Sequence, residues 1–406
     1  MMAVADHATD YAALFHGHIV RSINRCMALV AGQGSKLPAP SKREQALLTL
    51  SYAMKMAQTW PAARELLLAL APAMERAGHR DDWIPYLEQG IEVSQRLEDA
   101  RAEAELRWFL GVILERRSLY DAARQQLAAS ADQFAALDDR RAQARALNRL
   151  AFVACLQRQS DEASRLAALS ARLLDPKDSE RGYCDFVWGH VALDREDWQA
   201  AYDYFSQALA SWQDGADRRM VAWGYTNLGI AKRRLGDNAG AVAAYQQAIA
   251  LFNEVEDPVH EAVARMNLGN VYLMSGDPQA ALAHYLAAEP VFQLVQGTLR
   301  LATVYLNIGM AFRRMQRWSD AERTLQASSD LYAQLNLPAA VANVTDELGL
   351  TLQDQGLVEP AIARFETALR WLPAGAVYDA QRQSITEHLL EAQAAARRSG
   401  GGHPEE

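Results

Sequence analysis

Three asparagines, Asn227, Asn267 and Asn307, recur at 40-residue intervals, each two residues ahead of a glycine. An amide side chain carries both a donor and an acceptor, so a row of them can hold the N–H and C=O groups of an extended peptide in either direction. The same amides could instead bridge neighbouring helices and fix the angle at which they stack, because buried amides are normally hydrogen-bonded. Arg234 and Arg314 follow two of those glycines by five residues, and a guanidinium there could pair with carboxylates of a partner. Chemistry of other kinds has no support. No paired carboxylate, Ser/His/Asp or Cys/His constellation stands out. His260-Glu261 begins like a zinc-protease helix, but position 264 is alanine rather than the second histidine. Gly32-Gln33-Gly34-Ser35-Lys36 lacks the spacing that wraps phosphates and reads as a linker closed by Pro38 and Pro40. No catalytic residue, metal ligand or cofactor is expected, and the chain is read as a non-enzyme.

The elements that must position these side chains follow from the repeat. Leu110-Gly111, Leu150-Ala151, Trp188-Gly189, Leu228-Gly229, Leu268-Gly269, Ile308-Gly309 and Leu348-Gly349 advance by 40, 38, 40, 40, 40 and 40 residues. Twelve residues after each glycine-type position stands alanine, from Ala123 to Ala361, and sixteen after it a larger apolar residue such as Phe205, Tyr245 or Phe365, although Ala167 is small. Nineteen after it the residue is small again, as at Ser130, Ala208 and Ser328. Spacings of three, four and seven mark one helix face. Gly276-Asp277-Pro278 reads as a turn in which glycine ends one helix, aspartate caps the next and proline suits its first turn. The fold class is therefore all-α, a right-handed superhelical solenoid of antiparallel helix pairs, which offers a long surface and makes binding a better expectation than catalysis.

These residues resemble the tetratricopeptide repeat family, whose Leu-Gly, aromatic, alanine and Phe/Tyr pattern is met by Leu268-Gly269, Tyr272, Ala281 and Tyr285, and by Tyr225, Leu228-Gly229, Ala241 and Tyr245. The 40-residue period is similar to the longer-repeat branch found in kinesin light chains, spindle-orientation adaptors and sensor arms of bacterial signal-transduction ATPases. The resemblance implies a concave groove lined by the first helix of each pair. At 100° per residue, positions six before, two before, one after and five after the glycine fall on the side away from it. Read off the clearest units, that face carries Trp223, Asn227, Ile230 and Arg234, then Asn267, Asn270 and Met274, then Asn307, Met310 and Arg314, then Asn343. The tryptophan, isoleucine and methionines add adaptable apolar area between the polar groups. Glu347 and Asp354 reverse the sign of charge further on, which could set a ligand's direction.

The chain divides into residues 1–40, an N-terminal segment partly helical; 41–98, a helical preamble with a degenerate first repeat around Leu70-Ala71 and Gly78; 99–375, seven repeats; 376–398, a capping helix; and 399–406, a disordered tail. Trp60, Trp83 and Trp108 are expected to pack between the preamble helices. Net charge is −9, with no basic tract to offset it, so nucleic acid is not an expected partner. Cys26, Cys155 and Cys184 are too few and scattered for a disulfide framework. No signal segment or membrane span is read, and the expected location is the cytoplasm. The expected partner is a protein or peptide, including one with acidic residues; a homo-oligomer has no positive signal beyond the helix expected over residues 8–31. The leading expectation is a peptide- or protein-binding scaffold, and the alternative is a signalling regulator whose array binds a peptide or small effector and controls a partner ATPase or transcription factor.

Overall fold

The computed structural model describes residues 3–31, 40–76, 80–213, 217–295 and 297–400, and every regular element among them is a helix. Gly32–Lys36, Pro38, Gly78 and the tail from 401 lie outside the described residues. The chain forms two compact units, Met1–Asp237 with Ala250–Asp257, and Asn238–Ile249 with Pro258–Glu406.

The first unit begins with α1 (Ala3–Ala31), α2 (Pro40–Ala53), α3 (Trp60–Arg76) and α4 (Arg80–Arg96). It continues with α5 (Ala100–Arg116), α6 (Tyr120–Ala136), α7 (Arg140–Leu156), α8 (Ser160–Leu173), α9 (Arg181–Asp194), α10 (Trp198–Gln213) and α11 (Arg218–Arg234). Helix α12 (Asn238–Glu254) is divided between the units. The second unit holds α13 (Pro258–Met274), α14 (Pro278–Leu294), α15 (Thr298–Arg314), α16 (Trp318–Gln334), α17 (Pro338–Asp354), α18 (Val358–Trp371) and α19 (Asp379–Gly400). Consecutive helices pack as neighbours: α5 on α6, α7 on α8 and α9 on α10 in one unit, and α13 on α14, α15 on α16 and α17 on α18 in the other.

Local chemistry sets the period. Where the repeat is regular, helices are 17 residues long, as α5 and α6 are, and turns of three residues join them. The turn closes with one residue in the left-handed region, Gly276 at φ 82° being an example, and Asp277 N–H then reaches back to Tyr272 O at 2.9 Å. Asp277 Oδ1 next accepts from Ala280 N–H at 2.9 Å and starts the following helix. Asp99 and Asp139 cap α5 and α7 in the same way. Glycine fills the left-handed position at Gly236, Gly276 and Gly356, but Ser118, Asp138, Arg158, Glu196, Glu256, Gln316 and Asn336 fill it elsewhere. The hydrogen bonds that close the turn hold these residues there despite the roughly 1–2 kcal/mol that a Cβ costs in that region.

The two helices of a pair meet at the glycine. A Cβ placed on Gly269 would lie 2.5 Å from the Tyr285 ring, one on Gly309 2.6 Å from Leu325 Cγ, and one on Gly349 2.5 Å from the Phe365 ring. In the single unit with alanine at this position, Ala151, the opposing residue is Ala167, so the missing bulk sits on the other side of the seam; both are fully buried. Beside the seam the small position nineteen residues on lets backbones touch. Ser130, Ser170 and Ser328 donate to the carbonyls of Ala104, Ala144 and Ala302 at 2.8, 3.1 and 2.7 Å.

Two expectations shift at the edges. The final helix is preceded by a 3₁₀ turn at Ala376–Tyr378, starts at Asp379 and runs to Gly400, two residues past the expected Arg398. Trp60 and Trp83 are buried in the first unit's core as expected, whereas Trp108 is only half-buried and faces a cavity.

The seam predicts a specific coupling. Gly309→Ala destabilises the protein by about 1–3 kcal/mol through overpacking, while Gly309→Ala with Leu325→Ala, which copies the Ala151/Ala167 arrangement, loses less than the sum of the two single changes. Urea unfolding of the three variants measures this, and strict additivity would disprove the account.

Candidate functional site

Stacking the first helices of successive pairs puts their outward faces side by side, and in the first unit they enclose a cavity of about 670 Å³. Its wall is built from Trp108, Phe109, Val112 and Arg116 on α5, Arg145 and Arg149 on α7, Tyr183 on α9, and Arg219 and Trp223 on α11. Pro72 and Glu75 of α3 contribute from the preamble, and Val255 follows α12. The volume falls within the roughly 300–1,000 Å³ typical of ligand pockets.

Helix geometry explains why these residues converge. Phe109 and Arg149 stand two before their glycine-type positions, Arg145, Tyr183 and Trp223 six before, Val112 one after and Arg116 five after. They occupy the face assigned in the later units to Asn227, Asn267 and Asn307. Of these only Trp223 was expected from the sequence; the others belong to the units of Gly111, Ala151 and Gly189, which carry arginine and aromatic residues in place of the asparagines that mark the face later in the chain.

The cavity is dominated by arginine. Guanidinium groups of Arg116, Arg149 and Arg219 surround the Trp223 ring at 5.2, 5.9 and 5.3 Å from its centroid, and Arg145 lies over Trp108 at 4.4 Å, geometry that favours cation–π attraction. Each cation also has an internal carboxylate. Glu75 bridges Arg116 Nε at 3.2 Å and Arg219 Nη1 at 3.0 Å. Arg219 Nε meets Asp257 at 2.5 Å, Arg149 meets Glu115 at 2.7 Å, and Arg145 meets Glu105 at 2.5 Å.

Burial and pairing pull the two central arginines in opposite directions. For Arg149 burial dominates and lowers the pKa, with Glu115 opposing. For Arg219 burial is outweighed by Glu75 and Asp257, and the pKa rises. Burial likewise raises Glu180, whose carboxylate accepts from Asn148 Nδ2 at 2.9 Å, and raises Tyr183. His190, on the same helix face one position after Gly189, packs edge-on against Phe152, Phe186 and Phe205, and burial lowers it to about 4.

Within the first unit, Trp223 lines the cavity. Asn227 is buried and donates to Trp223 O at 2.8 Å. Ile230 is half-buried, and the exposed Arg234 stacks on Trp198 at 4.9 Å. Within the second unit, Asn270 Oδ1 accepts from Tyr285 Oη at 2.7 Å and from the buried Asn307 Nδ2 at 3.0 Å. These amides thus link α13 to α14 and to α15. Asn267 and Met310 are half-buried, and Met274, Arg314 and Asn343 are exposed. Glu347 and Asp354 both engage Arg313, at 3.4 and 3.0 Å. Among the described residues no group of His, Cys, Asp and Glu could hold a metal ion, and no helix is long and apolar enough to cross a membrane.

Residues 186–254, 221–294 and 300–373 match the tetratricopeptide repeat family. No curated protein matches the sequence. Among solved structures the chain is similar to a Rap protein complexed with Competence and Sporulation Factor, at 15% identity and TM-score 0.60 over 93% of this chain and 99% of that one. It is also similar to the APC/C hetero-tetramer Cut9-Hcn1, at 17% and 0.59 over 91% and 66%. A third likeness is to a signal transduction ATPase with a tetratricopeptide repeat sensor from Pyrococcus horikoshii, at 13% and 0.57 over 86% and 55%. At these identities the likeness is one of fold.

Two outcomes follow from the charges. Glu75→Ala removes the buried carboxylate that bridges Arg116 and Arg219 and costs about 3 kcal/mol in chemical denaturation; a loss under about 0.5 kcal/mol would show that the bridge contributes nothing to the fold. His190 favours folding as the neutral imidazole, so its contribution is complete above its unfolded value of 6.5 and drains away as pH falls toward 4, an acid penalty of about 2–3 kcal/mol. His190→Phe should flatten the stability profile across that window, and an unchanged slope would remove His190 as its cause.

Proposed function

We propose that this tetratricopeptide repeat chain is a non-enzymatic binding protein for a peptide or protein segment, with the cavity of the first unit as its principal site. The observation that carries the reading is the convergence of four first helices and α3 on one cavity of about 670 Å³ with aromatic and guanidinium walls. Tryptophan and arginine are the side chains that most often dominate binding energy at interfaces, and a solenoid places them on one continuous wall. The cytoplasm suits three cysteines that stand as free thiols.

The outward face of the second unit's first helices serves as a further contact surface, through Asn267, Met274, Arg314 and Asn343, with Asn270, Asn307 and Met310 beneath them. In the first unit Asn227, Ile230 and Arg234 continue the face that begins at Trp223. Asn227, Asn270 and Asn307 already spend amide hydrogen bonds on the chain itself, so the cavity is given the larger share of the affinity.

A second reading, a ligand-responsive regulator, is favoured by Glu75. This α3 carboxylate reaches Arg116 of α5 and Arg219 of α11 in the cavity wall, so a ligand that competes for either guanidinium has different affinity for the bridged and unbridged states, as regulation requires. The likeness in fold to a Rap protein held by its factor and to an ATPase with a repeat sensor supports the same reading.

Affinity capture with the intact chain identifies the partner. Val112→Phe, which places a ring in the cavity, should weaken that partner's binding by about tenfold or more while circular dichroism still shows the helical fold. Undiminished capture by this variant would move the site elsewhere, and simultaneous Asn227→Ala, Asn267→Ala and Asn307→Ala changes would then test the amide face.

A further inference from the structure

The polar capacity left open on the cavity wall is of one kind. Trp108 Nε1, Arg145 Nε and Arg149 Nε are buried without a hydrogen-bond partner, and all three are N–H groups that can only donate. All three line the same cavity. The Arg145 guanidinium stacks on the Trp108 ring, and Arg149 follows Arg145 by one turn of α7, on the same face. No acceptor among the described lining residues is left in that state. The lining includes six arginines and three carboxylates, and Glu105, Glu115 and Asp257 pair with Arg145, Arg149 and Arg219 from behind it.

Resting on the binding reading above, we infer that the ligand of this cavity is a peptide that inserts a carboxylate beside Trp108, Arg145 and Arg149. A carboxylate offers acceptors alone, in the planar arrangement that guanidinium groups match. A monoanion suits the site better than a phosphate dianion, because Glu75, Glu180 and Asp217 also face the cavity and repel a second charge. The body of the ligand lies along Phe109, Val112 and Met220. Arg145 keeps 30% of its side chain exposed, so its guanidinium can turn on the Trp108 ring to present Nε, exchanging part of its contact with Glu105 for the incoming acid. Burial already disfavours the Arg149 cation, and an anion beside it relieves that cost.

The carboxylate could be a chain terminus or an Asp/Glu side chain, and pooled random hexapeptides separate the two. Four pools are dialysed against the full-length protein and the retained peptides read by mass spectrometry: free acid with Asp/Glu, free acid without them, C-terminal amide with Asp/Glu, and amide without them. Retention of the acid-bearing pools over the fully neutral one supports the inference, and whichever single-source pool is kept identifies the donor of the carboxylate. Trp108→Phe and Arg145→Lys each remove an N–H while keeping ring or charge, and each should lower that retention by about tenfold. Equal retention of the neutral pool, or acid retention untouched by both variants in folded protein, overturns the carboxylate assignment while leaving the peptide-binding reading intact. Retention of no pool by the unaltered protein overturns the inference together with the peptide reading beneath it.

Discussion

Where the two helices of a pair cross, the backbone of the first lies against a ring or branched side chain sixteen residues later, and no Cβ fits between them. The glycine and its partner are therefore a single packing unit, since interiors packed at crystal-like density leave no slack for an added methyl. Ala151 opposite Ala167 shows the constraint from the other side: a methyl stands at the glycine position where the facing residue is itself only an alanine, and both are fully buried. Alanine twelve residues on and serine or alanine nineteen on extend the close approach along the second helix. Ser130, Ser170 and Ser328 turn that approach into hydrogen bonds to the first helix.

Fixing the seam fixes what is left over. One face of each first helix is committed to its partner, so the face about 160° away is turned toward the faces of the neighbouring first helices. In the first unit that leftover face carries large cations and tryptophans. Cations held this closely together require carboxylates beneath them, because a buried unpaired charge costs far more than a paired one. Glu75, Glu105, Glu115 and Asp257 fill that role. The outcome is a wall whose cations are neutralised from behind and on which Trp108 Nε1, Arg145 Nε and Arg149 Nε have no acceptor. In the second unit the corresponding positions carry amides and methionines, and Asn270 with Asn307 spends its hydrogen bonds on the stack.

Much of this was legible without coordinates. The seven glycine-type positions, the alanine twelve residues later and the alternation of large and small side chains all follow from a repeated physical requirement, and a requirement met seven times leaves a periodic trace. The turn chemistry was legible in part. Gly276-Asp277-Pro278 announces itself, whereas Arg158 and Gln316 occupy the same left-handed position with no such cue, held by the hydrogen bonds around them rather than by their own preference.

The sequence by itself determined the helix pairs, their period and the face on which binding residues stand, because those properties are set within each repeat and recur from one repeat to the next along the chain. Only the tertiary structure decided which stretch of that face closes into a cavity and which amides are consumed internally. Glu75 and Arg219 meet across 144 positions of sequence, and Asn307 finds Asn270 one repeat away. Such contacts depend on how successive helices are placed against one another, a quantity that accumulates from every seam and is written at no single residue.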